Sequence, residues 1–409
     1  MAMRLETKHS MLRRCRGWDY RQPCIYMVTL VLADRGSQVL GRLVIAPGLQ
    51  CQAQENLALP HQAQNAGQSG QSRDVSCSVL EAAASSYIAL SLAGEAVLAE
   101  FKRIGEHHPE VKPLFMQVMP DHVHFIIHVM RPMAKPLGNV IGGFKAGSSK
   151  AAIGCPGLWA AGFQDTILFH EGQLDAMFSY LRDNPRRLAV KRLLPGLFRV
   201  TRDLCLQLPL QARDTFPAHF SAIGNHFLLE SPTILQVQCS RADFAYERRA
   251  KPGGGLKIAR NADGEPMTAR ITPQFEAKRD ELLAAARHGA VLASPCISDG
   301  EREIARLAFA AGAAVISLRN IGFSPLYKPG GKSFDKAANG KLLMLAPIAW
   351  PYSTAEKAMT RFDACVLNRI AQLISGPGAA EINYKGMKPN DIDRLVRAAV
   401  SPTCATEEW

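Results

Sequence analysis

The stretch "MPDHVHFIIHVM", Met119 to Met130, carries three histidines. Read as a strand, His122, His124, Ile126 and His128 share one face, and Val123, Phe125, Ile127 and Val129 the other. The second set is a core face. The paired histidines then project from the opposite side with Cα atoms roughly 6.6 Å apart. At that spacing both imidazoles can converge on one ion. Taken alone, the pair also fits two polar residues on the half-wet face of an edge strand. His128, further along, reads as structural.

A second stretch lies downstream: "YLRDNP", Tyr180 to Pro185. Leu174, Met177, Phe178 and Leu181 recur at helical spacing and predict an amphipathic helix. Tyr180 lies on the flank of that stripe, and Asn184, four residues on, lies beside it. Pro185 predicts the helix end, because the residue before proline disfavours the helical conformation. Alone, this helix merely carries a tyrosine at its core margin.

Together, "MPDHVHFII" and "YLRDNP" resemble the HUH single-tyrosine transposases, in particular the REP-associated tyrosine transposase branch. "GLWAAGFQDTILF", Gly157 to Phe169, resembles the Trp…Phe/Tyr-x-Asp segment of that family and lies in the same order. The likeness covers roughly residues 26–191, apart from a Gln-rich insertion. It implies a ferredoxin-like α+β fold, an antiparallel sheet with helices. It also implies Tyr180 as nucleophile, and His122, His124 and Asn184 as ligands of a divalent metal, Mg²⁺ or Mn²⁺. The implied partner is single-stranded, hairpin-containing DNA. The implied reaction is cleavage through a 5′-phosphotyrosine link, followed by rejoining. A homodimer that exchanges the tyrosine helix is one arrangement such proteins use.

That chemistry suits the residues. A phosphodiester repels anionic nucleophiles, and a metal held by imidazoles and an amide oxygen can screen the charge. Imidazole shifts preference from Mg²⁺ toward Mn²⁺. Basic residues follow the tyrosine: Arg182, Arg186, Arg187, Lys191 and Arg192. With Lys145 and Lys150 they are candidate phosphate contacts. Each also fits an ordinary solvated helix face.

The rest of the chain is consistent with this. It has 409 residues, 47% of them hydrophobic and 21% charged, which predicts more than one domain. The net charge of +12 favours an anionic partner such as nucleic acid. Ten scattered cysteines form no CxxC pair, which argues against a cysteine zinc site. No apolar leader or membrane-length run is visible, so a cytoplasmic, non-membrane protein is expected.

The reading divides the chain into 1–195 (HUH domain, with a solvated Gln-rich insertion at 49–74), 196–232, 233–380 and 381–409. Residues 79–104 show helical periodicity. Residues 196–232 read as a connector of short β elements and 381–409 as a tail. From 233 on, strands and helices alternate, which predicts an α/β parallel sheet, Rossmann-like, with helices on both faces. This part resembles, more weakly, DNA-processing protein A and the Lonely Guy nucleotide-binding group. It has neither a GxGxxG nor a GxxxxGK[ST] motif. Its loops after two strands suggest an anion site at Ser298, Asp299 and Gly300 and at Gly330 and Gly331. The competing reading of the whole is a non-catalytic DNA- or nucleotide-binding protein dominated by this half.

Overall fold

The computed structural model describes residues 15, 17–34, 36–45, 80–152, 157–169, 172–211, 214–250, 255–324, 326–353, 358–376 and 388–402. The insertion expected at 49–74 lies outside them. The chain is mixed α/β and divides into two units, residues 1–193 and 194–409.

The first unit contains β1 (Cys24–Val31), β2 (Gly41–Val44), β3 (Tyr87–Leu90), α1 (Leu92–Lys102) and α2 (Ile104–His107). It continues with β4 (Val111–Val118), β5 (His122–Val129), α3 (Leu137–Ala151), β6 (Gln164–Leu168), α4 (Gln173–Arg182) and α5 (Asn184–Leu193). Four strands form an antiparallel sheet in the order β4-β5-β1-β6. β5, the histidine strand, is therefore an inner strand, not an edge. Val123, Phe125, Ile127 and Val129 are fully buried. The Phe125 ring lies 5.4 Å from both Phe101 of α1 and Phe144 of α3. These two helices thus cover the face opposite the histidine pair. Burying a side chain such as Phe125 stabilises by about 1.5–3 kcal/mol, so this face fixes the strand's register.

One expectation is corrected. Residues 79–104 are not a single helix, because Tyr87–Leu90 pairs with β2 as a strand. Ser91 then caps α1, its hydroxyl accepting from Gly94 N at 3.1 Å. Gly94 permits backbone contact, since a Cβ there would lie 2.0 Å from Leu40 O.

The second unit opens with β7 (Thr201–Gln211), β8 (Asp214–Gly224) and β9 (Ile234–Gln236). Two small ribbons follow: β10 (Phe244–Tyr246) with β13 (Thr268–Ile271), and β11 (Arg248–Ala250) with β12 (Leu256–Ile258). Then come α6 (Pro273–Arg287), β14 (Val291–Ser294), α7 (Asp299–Ala310), β15 (Val315–Leu318) and α8 (Lys332–Ala338). β16 (Leu342–Pro347), α9 (Arg361–Ser375) and α10 (Pro389–Val400) complete it.

Its six-stranded sheet has the order β7-β8-β16-β15-β14-β9. β9, β14, β15 and β16 are parallel, while β8 runs against β16 and β7 against β8. Residues 201–224 are thus two eleven-residue strands of this sheet, longer than the short elements expected. Residues 389–400, expected within a tail, form a helix with Ile392, Val396 and Val400 fully buried. Helices cover both faces. Val291 and Ala293 face α9 and α10, whereas Leu292 faces α6 and α7.

Candidate active site

Cross-strand partners share a face, so register identifies the neighbours of the histidines. Thr29 of β1 and Gln117 of β4 flank His124, and Val31 pairs with His122. The two imidazole rings lie 4.7 Å apart, edge to face. His122 Nδ1 is 2.7 Å from Asp121 Oδ1. A carboxylate accepts, so this imidazole carries its proton on Nδ1. His124 Nδ1 is 2.7 Å from Thr29 Oγ1, which also lies 3.6 Å from Met27 Sδ. With the Thr29 oxygen accepting, His124 carries its proton on Nδ1 as well; with Thr29 donating, the proton sits on Nε2. His122 is thereby left with an Nε2 lone pair, the form in which imidazole binds metals, and His124 matches it when Thr29 accepts. Burial, with His122 alongside, lowers the His124 pKa to about 3, so it stays neutral at ordinary pH.

The tyrosine helix covers the histidine side. Phe178 of α4 packs edge-on against Phe115 of β4 at 5.8 Å. Phe115 pairs with Ile126, which lies on the histidine face of β5. Tyr180, two residues further on, is 40% exposed, and its ring centre is 6.4 Å from that of His124. The helix does not end at Pro185 as expected. α4 stops at Arg182, and Pro185 sits in the first turn of α5, where its missing N–H costs nothing. The one-residue break falls at Asp183. Its carboxylate accepts from Arg186 at 2.5 and 3.0 Å and from Arg187 at 2.6 Å. The Arg187 guanidinium also lies 5.5 Å from the Tyr180 ring centre. Asn184 is 9% exposed and its amide Nδ2 has no hydrogen-bond partner. It makes no hydrogen bond to either imidazole.

The expected phosphate contacts separate. Lys145 and Lys150 lie on α3, on the Phe125 side of the sheet. Lys145 donates to the carbonyls of Ala160 and Gly162 at 2.7 and 2.5 Å, and burial lowers its pKa. It thereby fixes the loop before β6. Lys150 lines a cavity of about 610 Å³ with Glu100, Arg103, His107 and His108. Arg182 stacks over Phe115 and Phe178 at 5.5 and 5.6 Å. Arg192 is exposed and Lys191 half-buried on α5. Three neighbours of the site have roles that motif reading does not assign: Asp121, Thr29 and Arg187, the last expected only as a phosphate contact. Asp121 is adjacent in sequence, but Thr29 requires the β1–β5 register and Arg187 requires the break at Asp183.

In the second unit, the expected anion site is partly met by the chain's own groups. Ser298 caps α7, and the buried Glu301 carboxylate accepts from the N–H groups of Ile297 and Ser298 at 2.7 and 3.4 Å. Asp299 accepts from Tyr246 N and from Arg248. Gly300 is a packing glycine, since a Cβ there would lie 2.9 Å from Cys239 and Phe275. Gly330 and Gly331 precede α8, which begins without a side-chain cap. The strands β9, β14, β15 and β16 also accumulate in one direction. They create no reversal of the kind that opens a ligand crevice in parallel sheets.

No family model and no curated protein matches this chain. Among solved structures, a REP-associated tyrosine transposase bound to a REP hairpin aligns with it at 14% identity. That alignment covers 42% of this chain and 72% of the other, with a TM-score of 0.25. A likeness so slight assigns no role to any residue here. Among the described residues, no three His, Cys, Asp or Glu side chains gather as a metal-holding group. No helix among them is long and apolar enough to cross a membrane.

Proposed function

We propose that the first unit is a metal-dependent single-stranded DNA endonuclease and strand transferase, with Tyr180 as its nucleophile. The supporting observation is the approach of Tyr180 to His124, 6.4 Å between ring centres, from elements 56 positions apart in sequence. The fold we infer is ferredoxin-like for this unit and Rossmann-like for the second.

The donor set fits a divalent ion. With Thr29 accepting, His122 and His124 present two Nε2 lone pairs, and Asn184 is a buried amide with an unmet polar atom. Mg²⁺ or Mn²⁺, bound there, would polarise a phosphodiester and offset its charge. Asp121 and Thr29 hold the imidazoles in the binding tautomer. Tyr180 Oη then forms a bond to phosphorus, and the bond from phosphorus to the 3′ oxygen breaks. The phenol proton passes to solvent and the leaving oxygen takes one up. The DNA 5′ end stays on the enzyme as a phosphotyrosine, and the free 3′-OH can later reverse the step. The net positive charge of the chain supports DNA as the partner.

The test is a denaturing gel of the protein incubated with hairpin-bearing single-stranded DNA and Mn²⁺. A covalent adduct is expected, and Tyr180→Phe should abolish it. An adduct that survives Tyr180→Phe would remove Tyr180 from its role.

A further inference from the structure

We propose that Arg187 is a positioning residue for the Tyr180 ring and not a DNA-phosphate contact; this rests on the reading of Tyr180 as nucleophile. Its side chain is 14% exposed, whereas Arg192, further along α5, is exposed. Its Nε donates to Asp183 Oδ2 at 2.6 Å, and its guanidinium faces the Tyr180 ring at 5.5 Å. Asp183 is itself held by both Nε and Nη2 of Arg186. A guanidinium only 14% exposed, with Nε on a carboxylate and its plane near a ring, is poorly placed to meet an incoming phosphate.

The location gives this contact a purpose. Tyr180 lies in the last turn of α4, Arg187 in the first turns of α5, and the helix is interrupted between them at Asp183. Tyr180 is 40% exposed, so close packing does not fix its rotamer. Arg187 spans the break and lies against the ring, with Asp183 as its anchor. His124 lies near the same ring. The ring of the phenol thus has both the arginine and the imidazole as neighbours. Such orientation matters because a displacement of about 1 Å at a reacting atom can cost on the order of 10²-fold in rate. Lysine cannot replace the planar guanidinium in a stacked, carboxylate-anchored site.

Three measurements on Arg187→Gln and Arg187→Lys, with Arg192→Gln for comparison, test this. The first is affinity for a hairpin-bearing single strand as a function of salt, in a Tyr180→Phe background. The second is the rate of adduct formation at saturating DNA. The third is the ¹⁹F spectrum of a fluorotyrosine placed at position 180. We expect both Arg187 variants to keep the wild-type salt slope and to lose about 10-fold or more in the saturating rate. The ¹⁹F resonance should change in shape or position, and lysine should not rescue it. Arg192→Gln should weaken binding and leave the ¹⁹F spectrum alone. A salt slope reduced by about 0.7, as for one lost phosphate contact, with an unchanged saturating rate, would overturn the proposal. So would an unchanged ¹⁹F spectrum. If Arg187→Gln fails to fold, Asp183→Asn frees the same guanidinium and should shift the spectrum likewise. If the wild type forms no adduct, the nucleophile reading fails, while the spectrum still reports whether Arg187 orders the ring.

Discussion

The histidine face of β5 and the start of α7 are both polar clusters that sequence reading marked as sites, and they differ in one respect. On β5, the atoms that could bind something are left open: each imidazole is anchored through Nδ1 and presents Nε2. At α7, the helix end is met by Ser298, and Glu301 reaches back to N–H groups just ahead of it. The same backbone N–H groups that attract an anion will take one from the chain when a carboxylate is three residues away. A polar motif becomes a candidate site when its own fold leaves lone pairs or donors unmet.

The sharpest way to break that comparison is to remove the open donors. His122→Ala with His124→Ala should lower metal-dependent adduct formation by at least about 10²-fold and abolish any rise in melting temperature on adding Mn²⁺. A double variant that keeps the Mn²⁺ response would mean the imidazoles are closed as well. On the other side, Glu301→Ala should cost about 2 kcal/mol, because it strips a buried acceptor from two N–H groups. Urea unfolding would measure it, and nicking by the first unit should not change. A third test, whose effect at neutral pH is nil in slope, separates the two regions by pH. His124 stays neutral down to about pH 3, whereas an imidazole in the unfolded chain titrates near 6.5. As pH falls, the unfolded chain takes up this proton first. The contribution is therefore full above pH 6.5 and is lost between 6.5 and 3, by at most about 1.4 kcal/mol per pH unit. His124→Gln should flatten the urea midpoint of the first unit over that range, and identical slopes would count against a buried neutral imidazole.

The strand β5 was legible because period-two alternation separates its histidines from Val123, Phe125, Ile127 and Val129. The tyrosine helix was legible from its apolar stripe, but its break was placed two residues late. Proline at the start of a new helix and proline after an old one look alike in sequence. β3 is not legible in the sequence, because Tyr87–Leu90 is apolar and runs into a true helix, so the two share one helical periodicity. β7 and β8 were read as fragments because Pro209 and Pro217 fall within them. Here Pro217 pairs with Gln207 and Pro209 with Thr215, in a ladder whose outer strand is an edge. Thr29 and Arg187 needed register and helix geometry, which single motifs do not contain.

The one-way order of β9, β14, β15 and β16 also has a consequence for how the second unit is made. Its successive crossovers α6 and α7 stack on one face as each strand is added. The other face receives α9 and α10, which come late in synthesis. Arg369 of α9 binds Asp393 of α10 at 2.7 and 3.2 Å, so these two helices close as a pair. Until α9 and then α10 have emerged from the ribosome, Phe220, Val291 and Ile316 lack part of their final cover. At synthesis rates of about 5–20 residues per second, the nascent sheet waits seconds with an oily side partly bare. That interval, more than the finished fold, is where this unit is open to chaperones and to aggregation.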